Sequence, residues 1–450
     1  MACNANPSGG CSSAEGQSTT SSGFASHAEG FQTIAAGVGA HAEGSNTYAG
    51  GDASHAEGIQ TIAQGNLSHA EGALTLASGV SSHAEGNLTV ASGFASHAEG
   101  EYAIIDGVDK LTMAIGEASH AEGQATTAVG EASHAEGFNT TAGTLENGLG
   151  AHSEGFNTTA SRQAAHAEGF NTIASGLNSH AEGGSTSASG NNSHAEGSAT
   201  IASGESAHAQ GFQTLASGPV SHSEGILTST AGFTASHIMG QSGSANESFS
   251  WFLANGGIKA KISGNTGVGT FTGGTSLGPA DYAELFETVD GLAIEPGYFV
   301  TLEGDKIRPA AAEDGYVLGI TSAAPAVLGN AGDTEWRGKY QTDEWGRPLT
   351  EAVRLEAETD GLGTVTLPAR TEIRRLIHPD WDSAKPYIPR SERPEWVAVG
   401  LLGQLQVRDD GTCRPGGFCL PGEKGEATAA PSGYRVMRRT GPNRVLVLFR

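Results

Sequence analysis

The chain has 450 residues and a formal net charge of −25, from 49 acidic and 24 basic side chains. So acidic a surface repels phosphate backbones and anionic bilayers, which argues against nucleic-acid binding or membrane insertion. Four cysteines are too few for a disulfide scaffold, and no stretch approaches the roughly 18 apolar residues of a spanning helix.

The N-terminus, Met1-Ala2-Cys3-Asn4-Ala5-Asn6-Pro7, lacks the basic and apolar regions of a secretory signal. The expectation is a chain with no signal peptide, made in the cytosol. Residues 1–10 read as a lead-in, and a repeat follows over 11–240. Thirteen times between His27 and Glu224 the chain reads His-x-Glu, usually in the phrase Ser-His-Ala-Glu-Gly, with a usual step of 14 residues. The first rungs are His27/Glu29, His41/Glu43, His55/Glu57, His69/Glu71, His83/Glu85 and His97/Glu99. A nine-residue insertion precedes His120 and a four-residue insertion precedes His152. A period this short excludes helical repeat modules and makes the first half a solenoid.

Glycine three residues after the histidine, and often again ten after it, predicts two turns per unit. Between them lie two short stretches of period 2. His27 and Glu29 share one face and Ser26 and Ala28 the other; Thr33 and Ala35 share a face opposite Ile34. The small residues fit a narrow coil with no room inside for Leu or Phe. Sixteen coils at the strand spacing would give a rod of about 75 Å.

The repeat resembles the head domains of trimeric autotransporter adhesins, over about residues 11–240. That resemblance implies an all-β fold, a left-handed parallel β-roll wound as a trimer. Where the family places two large apolar residues flanking an alanine, this chain has histidine and glutamate. The resemblance therefore implies that His27, Glu29 and their copies stack near a three-fold axis. Hydrogen-bonded packing is one reading of this ladder, and metal or anion binding along the axis is another; no metal site is committed to. If imidazolium faced glutamate, the histidine pKa would rise. A Thr-x-Ala ice-binding lattice is discounted, because the intervening residue varies from Ile34 to Tyr48 to Ser187.

Residues 1–240 hold only two basic residues, Lys110 and Arg162, whereas all five tryptophans lie beyond them. The second half thus has the composition of a domain with a core. Residues 241–280 read as a β-rich neck, from the alternation in Ser248 to Leu253 and Ile258 to Ile262. Residues 281–450 read as β-dominated, with short Val/Leu/Ile runs broken by Gly and Pro. Cys413 and Cys419 bracket a tight loop and form an incomplete zinc set, so a structural pair, reduced or bridged, is expected.

The phrases Asp281-Tyr282-Ala283-Glu284-Leu285-Phe286-Glu287, Gly297-Tyr298-Phe299-Val300-Thr301, Val399-Gly400-Leu401-Leu402-Gly403 and Gly433-Tyr434-Arg435-Val436-Met437 together resemble the self-cleaving intramolecular-chaperone domain of phage tail spikes and pre-neck appendages, classed as a glutamic-type peptidase. The resemblance implies a domain that directs trimer assembly and then removes itself. It also implies an acid dyad, Asp281 and Glu284, just after a scissile bond at Pro279–Ala280 or, next, Ala280–Asp281. From residue types alone, both acids could simply cap the first turn of the domain. Paired carboxylates suit the chemistry, one activating water and the other donating a proton to the leaving nitrogen.

The resulting expectation is a phage tail spike or fibre, a homotrimer in the virion tail, assembled in the host cytoplasm. Its partners would be other tail or particle proteins and a host-surface receptor, with no cofactor. The alternative is a bacterial surface adhesin head that retains its assembly domain. No glycosidase pair is visible, since the roll's carboxylates recur once per coil.

Overall fold

The computed structural model describes residues 5–274, 278, 280–331, 339–356, 358–359, 365–367, 370–382, 384 and 386–450. They form two compact units, 1–274 and 275–450, and each is considered by itself.

In the first unit every coil contributes a strand at the histidine, such as His27–Phe31, and a shorter one, such as Ile34–Ala35. Each pairs in parallel with its equivalent one coil on, His27 against His41 and Ile34 against Tyr48. This stacking begins with Asn6 against Thr20 and continues to Trp251–Asn255 against His237–Gln241. The regular roll therefore reaches beyond 11–240 at both ends. Two antiparallel strands, Ile258–Ser263 and Gly269–Phe271, follow it.

The interior is a file of fully buried alanines, Ala28, Ala35, Ala42, Ala49 and their copies. Ser26 and Thr33 are buried beside them, while Ile34 is 40% exposed, as the alternation predicts. Buried serines return their hydroxyl to the backbone, Ser54 Oγ donating to the Gly51 carbonyl at 2.7 Å. That pairing removes a desolvation cost of about 1–3 kcal/mol per hydroxyl.

The glycines work differently from the sequence expectation. Gly30 has φ +112°, but the left-handed corners of the coil fall on other residues, Ala25 (φ 55°) and Gln32 (φ 56°). Those corners are held by the coil before them, Gln32 N–H donating to the Gln17 carbonyl at 2.9 Å. The two glycines share close approach instead. A Cβ on Gly30 would sit 2.1 Å from the Gly44 oxygen, and one on Gly37 would sit 1.9 Å from the Gly51 oxygen.

Neither insertion disturbs the stack. The first folds out as a hairpin, Ala103–Ile105 against Val108–Lys110, and the His97 and His120 rings remain 4.8 Å apart.

In the second unit a sheet runs in the spatial order Lys306–Pro309, Phe299–Glu303, Gly319–Thr321, Trp396–Arg408, Arg444–Phe449, Tyr434–Gly441, Phe418–Pro421, Ala427–Ala430. The Asp281–Glu287 strand pairs antiparallel with Trp396–Arg408 and parallel with Val327–Gly329. Phe299, Ile320, Val407, Val436, Val445 and Val447 form the core. Cys413 and Cys419 are buried in it as free thiols, and burial raises Cys419 to about 11. The fold is all-β: among the described residues the only helical turn is the 3-10 turn Arg390–Glu392, and no helix is long and apolar enough to cross a membrane.

Candidate functional site

Asp281 opens its strand at the point where the chain meets the long Trp396–Arg408 strand, directly opposite Gly403. Burial alternates along it: Asp281, Ala283 and Leu285 are buried, whereas Tyr282 and Glu284 lie on the other face. Asp281 Oδ2 accepts a hydrogen bond from Ser322 Oγ at 2.7 Å. Its Oδ1 lies 3.3 Å from the Ala326 N–H, which also donates to the Asp281 carbonyl at 3.0 Å. Glu284 is engaged elsewhere, Tyr282 donating its hydroxyl to Oε1 at 2.6 Å. That contact holds the Tyr282 hydroxyl above its ordinary range. The two carboxylates thus face opposite sides of one strand and are not brought together in a single chain. Glu287 is paired with Lys306 at 2.8 Å.

The peptide before Asp281 has a seat of its own. The Ala280 carbonyl accepts the Gln404 N–H at 3.2 Å. It lies over Gly403 (φ +120°), where a Cβ would come within 2.0 Å of the oxygen. Ala280, Asp281, Ser322, Gln404 and Arg408 line a cleft of about 1080 Å³. Pro279, the other half of the first cleavage expectation, lies outside the described residues. Ser322 and Gln404 carried no signal in the sequence, because they come together with Asp281 only through strand pairing.

The ladder occupies one face of the roll. Histidine rings stack coil on coil, His27 on His41 at 4.9 Å and His83 on His97 at 4.8 Å. In most rungs Nε2 approaches the glutamate of the preceding coil, 3.2 Å for His83–Glu71 and 3.1 Å for His208–Glu196, whereas His134 Nε2 lies 3.9 Å from Glu136 of its own coil. The first rungs are looser, 4.0 Å for His41–Glu29, 3.4 Å for His55–Glu43 and 3.3 Å for His69–Glu57. His97 lies 3.4 Å from Glu85 and 3.9 Å from Glu99. Both side chains of a rung remain about one-third exposed, 34% and 32% for His97 and Glu85.

Within a single chain the resolved histidine shifts are downward. Burial, then the neighbouring imidazoles, lower His41, His69, His97, His134, His166 and His180, and His222 falls to about 4. Stacking like on like at a strand spacing disfavours charge more than the adjacent glutamates favour it. The glutamates share protons among themselves. A hydrogen bond to Glu99 raises Glu85 to about 7, and bonds to Glu154 raise Glu136 to about 8 and Glu168 to about 7. Their neighbours Glu71, Glu122 and Glu182 are lowered by the same bonds.

Groups such as His41, Glu43 and His55 place donor atoms within 4.8 Å of one another. Their rings, however, lie parallel, 4° apart for His41 and His55. Lone pairs on parallel rings do not converge on a point about 2.0–2.1 Å from each nitrogen, as a bound zinc ion requires. Two stacked histidines of one column therefore do not share an ion.

A family model described as Peptidase_G2, IMC autoproteolytic cleavage domain, matches residues 224–443. The second half of the chain is thus similar to that family over just under half of its length. The Peptidase_G2 match opens at Glu224, inside the roll, and contains the Asp281 strand and its cleft. The pre-neck appendage protein of Bacillus phage B103 is 38% identical over 42% of this chain and 19% of its own length. That of Bacillus phage phi29 is 41% identical over 38% of this chain and 18% of its own. The putative phage-related protein YobO of Bacillus subtilis strain 168 is 36% identical over 41% and 22%. The chain thus spans about a fifth of the length of these relatives. Among solved structures, a C-terminal fragment of bacteriophage phi29 gene product 12 is 35% identical and wholly covered, over 38% of this chain, with a TM-score of 0.31. The pre-mature form of that gene product is 19% identical over 97% of this chain and 59% of its own, with a TM-score of 0.49.

Proposed function

We propose that this protein is a phage tail appendage whose Peptidase_G2 domain directs homotrimer assembly and then severs itself from the roll. The mature fibre would sit in the virion among other tail proteins, after assembly in the host cytoplasm. The reading rests on the family of residues 224–443 together with the pre-neck appendage relatives.

The observation that carries the cleavage step is the seat of the Ala280 carbonyl under the Gln404 N–H. It favours Ala280–Asp281 as the scissile bond. Water adds to the Ala280 carbonyl carbon, and Gln404 N–H stabilises the oxygen as it gains negative charge. Asp281, oriented by Ser322, takes the proton of the attacking water. The C–N bond then breaks, leaving the Ala280 carboxylate and the Asp281 amine. In a glutamic-type reaction Glu284 supplies the proton to that nitrogen. It starts on the opposite face, about three residues or 10 Å along the strand. Its arrival requires release from Tyr282 and a shift of the strand at the bulge between Tyr282 and Ala283. The arrangement described is then a chain held before cutting.

The test is incubation of the purified full-length chain without added protease, followed by intact-mass analysis. New termini at Ala280 and Asp281 support the assignment. A wild-type chain that stays whole while trimeric would leave the domain a chaperone without peptidase activity.

A further inference from the structure

At the end of the roll the ladder changes chemistry without changing register. The histidine column runs His222, His237, Trp251, and the glutamate column runs Glu224, Met239, Leu253. Antiparallel pairing extends the same face, setting Ile262 against Trp251 and Ala260 against Leu253, with Phe271 against Ala260. The opposite face of the Ser250–Asn255 strand is ordinary core, with Phe252 and Ala254 buried beside Ile238.

The ladder side of these strands is bare. Trp251 is 62% exposed, Ile262 52%, Phe271 51%, Leu253 47% and Met239 44%. They surround a shallow pocket of about 110 Å³, and the edge of His237 meets the Trp251 ring at 5.3 Å. Contiguous exposed apolar side chains of this kind mark an interaction surface.

We propose that this patch is a clamp between copies of the chain, closing the ladder face of the roll at its C-terminal end. The occupant is a second copy (and, in the trimer proposed above, a third) in parallel register. Two observations select it. The patch is continuous with a polar face that repeats every 4.8 Å, and another copy of this chain matches that period rung for rung. The ladder is also self-complementary, since every rung from His27 to His194 offers both an imidazole and a carboxylate.

The ladder alone leaves register undetermined, because a slide of one rung restores nearly the same contacts. The clamp occurs once and has no equivalent to slide onto. It therefore fixes which rung meets which, and contributes apolar burial that the polar rungs lack. The patch also falls inside the Peptidase_G2 match that opens at Glu224.

The inference rests on the trimer proposed above, and one pair of measurements separates the two. Leu253→Cys is made in the full chain, with Asp281→Ala to block cutting. Sedimentation gives its mass, and a maleimide reports access to the new thiol, with the Asp281→Ala chain as the labelling blank. A trimer in which Cys labelling at position 253 is slowed at least tenfold relative to the denatured chain supports the clamp. A trimer that labels freely overturns the clamp and leaves the trimer standing. A monomer that labels freely overturns both. A monomer with protected label means that another segment of the same chain covers the patch, which also overturns the proposal. Leu253→Ser offers a second check: a folded roll by circular dichroism that no longer trimerises is expected, and undiminished trimer would count against the clamp.

Discussion

The Gln404 N–H donates to the carbonyl oxygen of Ala280 at 3.2 Å, and the residue before it, Gly403, has no side chain to block that approach. The bond that ends at Asp281 is thereby held by the longest strand of its own domain. Gly403→Ala places a methyl group where the oxygen sits, in a backbone conformation that suits glycine. Self-cleavage should fall by at least tenfold while the domain stays folded, as read by intact mass and circular dichroism in parallel.

Asp281→Asn keeps the Ser322 contact but removes the base, and should leave the chain uncut yet still trimeric. Glu284→Gln should also arrest cutting. Ser322→Ala frees Asp281 without removing it, so partial cleavage, slowed about tenfold to a hundredfold, is expected on a gel time course. If cleavage proceeds at the wild-type rate in both acid variants, the dyad is misassigned.

The ladder predicts a stability dome. Histidines with depressed folded pKa values contribute stability that is present above their unfolded pKa of about 6.5 and lost as pH falls toward the folded values, about 4 for His222. Glu85, Glu136 and Glu168, raised to about 7, 8 and 7, contribute stability that is present below pH 4.5 or so and lost as pH rises through 7 to 8. Below about 6.5 the more numerous histidines dominate; above it the glutamates do. Thermal melts of a cleavage-blocked chain should peak near pH 6.5–7 and fall on both sides. A profile rising steadily to pH 8.5 would exclude proton sharing along the glutamate column.

Gly155→Ala tests the roll. A Cβ there would stand 2.3 Å from the Gly169 oxygen, at φ +105°. Overpacking and backbone strain together should cost about 2–4 kcal/mol, measured as a lower denaturation midpoint.

Arg439 bridges the Asp409 carboxylate and the Cys413 carbonyl, and the Asp409 side chain is fully buried. Arg439→Ala leaves that charge unpaired and should destabilise the domain by about 3–5 kcal/mol. Arg439→Lys should recover part of the loss.

The roll was legible because its physics is local. Ala28 and Ala35 lie inside and Ile34 outside, as period 2 requires, and one coil predicts the next. The glycines were read only halfway, since Gly37 is demanded by the carbonyl of Gly51 in another coil. The downward histidine shift within one chain has a related origin. Glutamate neighbours are visible in the phrase Ser-His-Ala-Glu-Gly, whereas imidazoles 14 residues away become neighbours only in the stack. At the acid strand, the family resemblance points to Asp281 and Glu284, but their opposite faces follow from pairing with Trp396–Arg408. Ser322 and Gln404 enter through the same pairing.

The hairpin 103–110 leaves the His97–His120 step at 4.8 Å, the same as the uninterrupted His83–His97 step. Reach and ornament are thus separate variables in this roll. Duplicating or deleting a 14-residue unit changes the length by one fixed increment, while loops can be hung from a corner without altering the count. Such a roll can be lengthened, or given a new projecting loop, by changes that leave the second unit untouched.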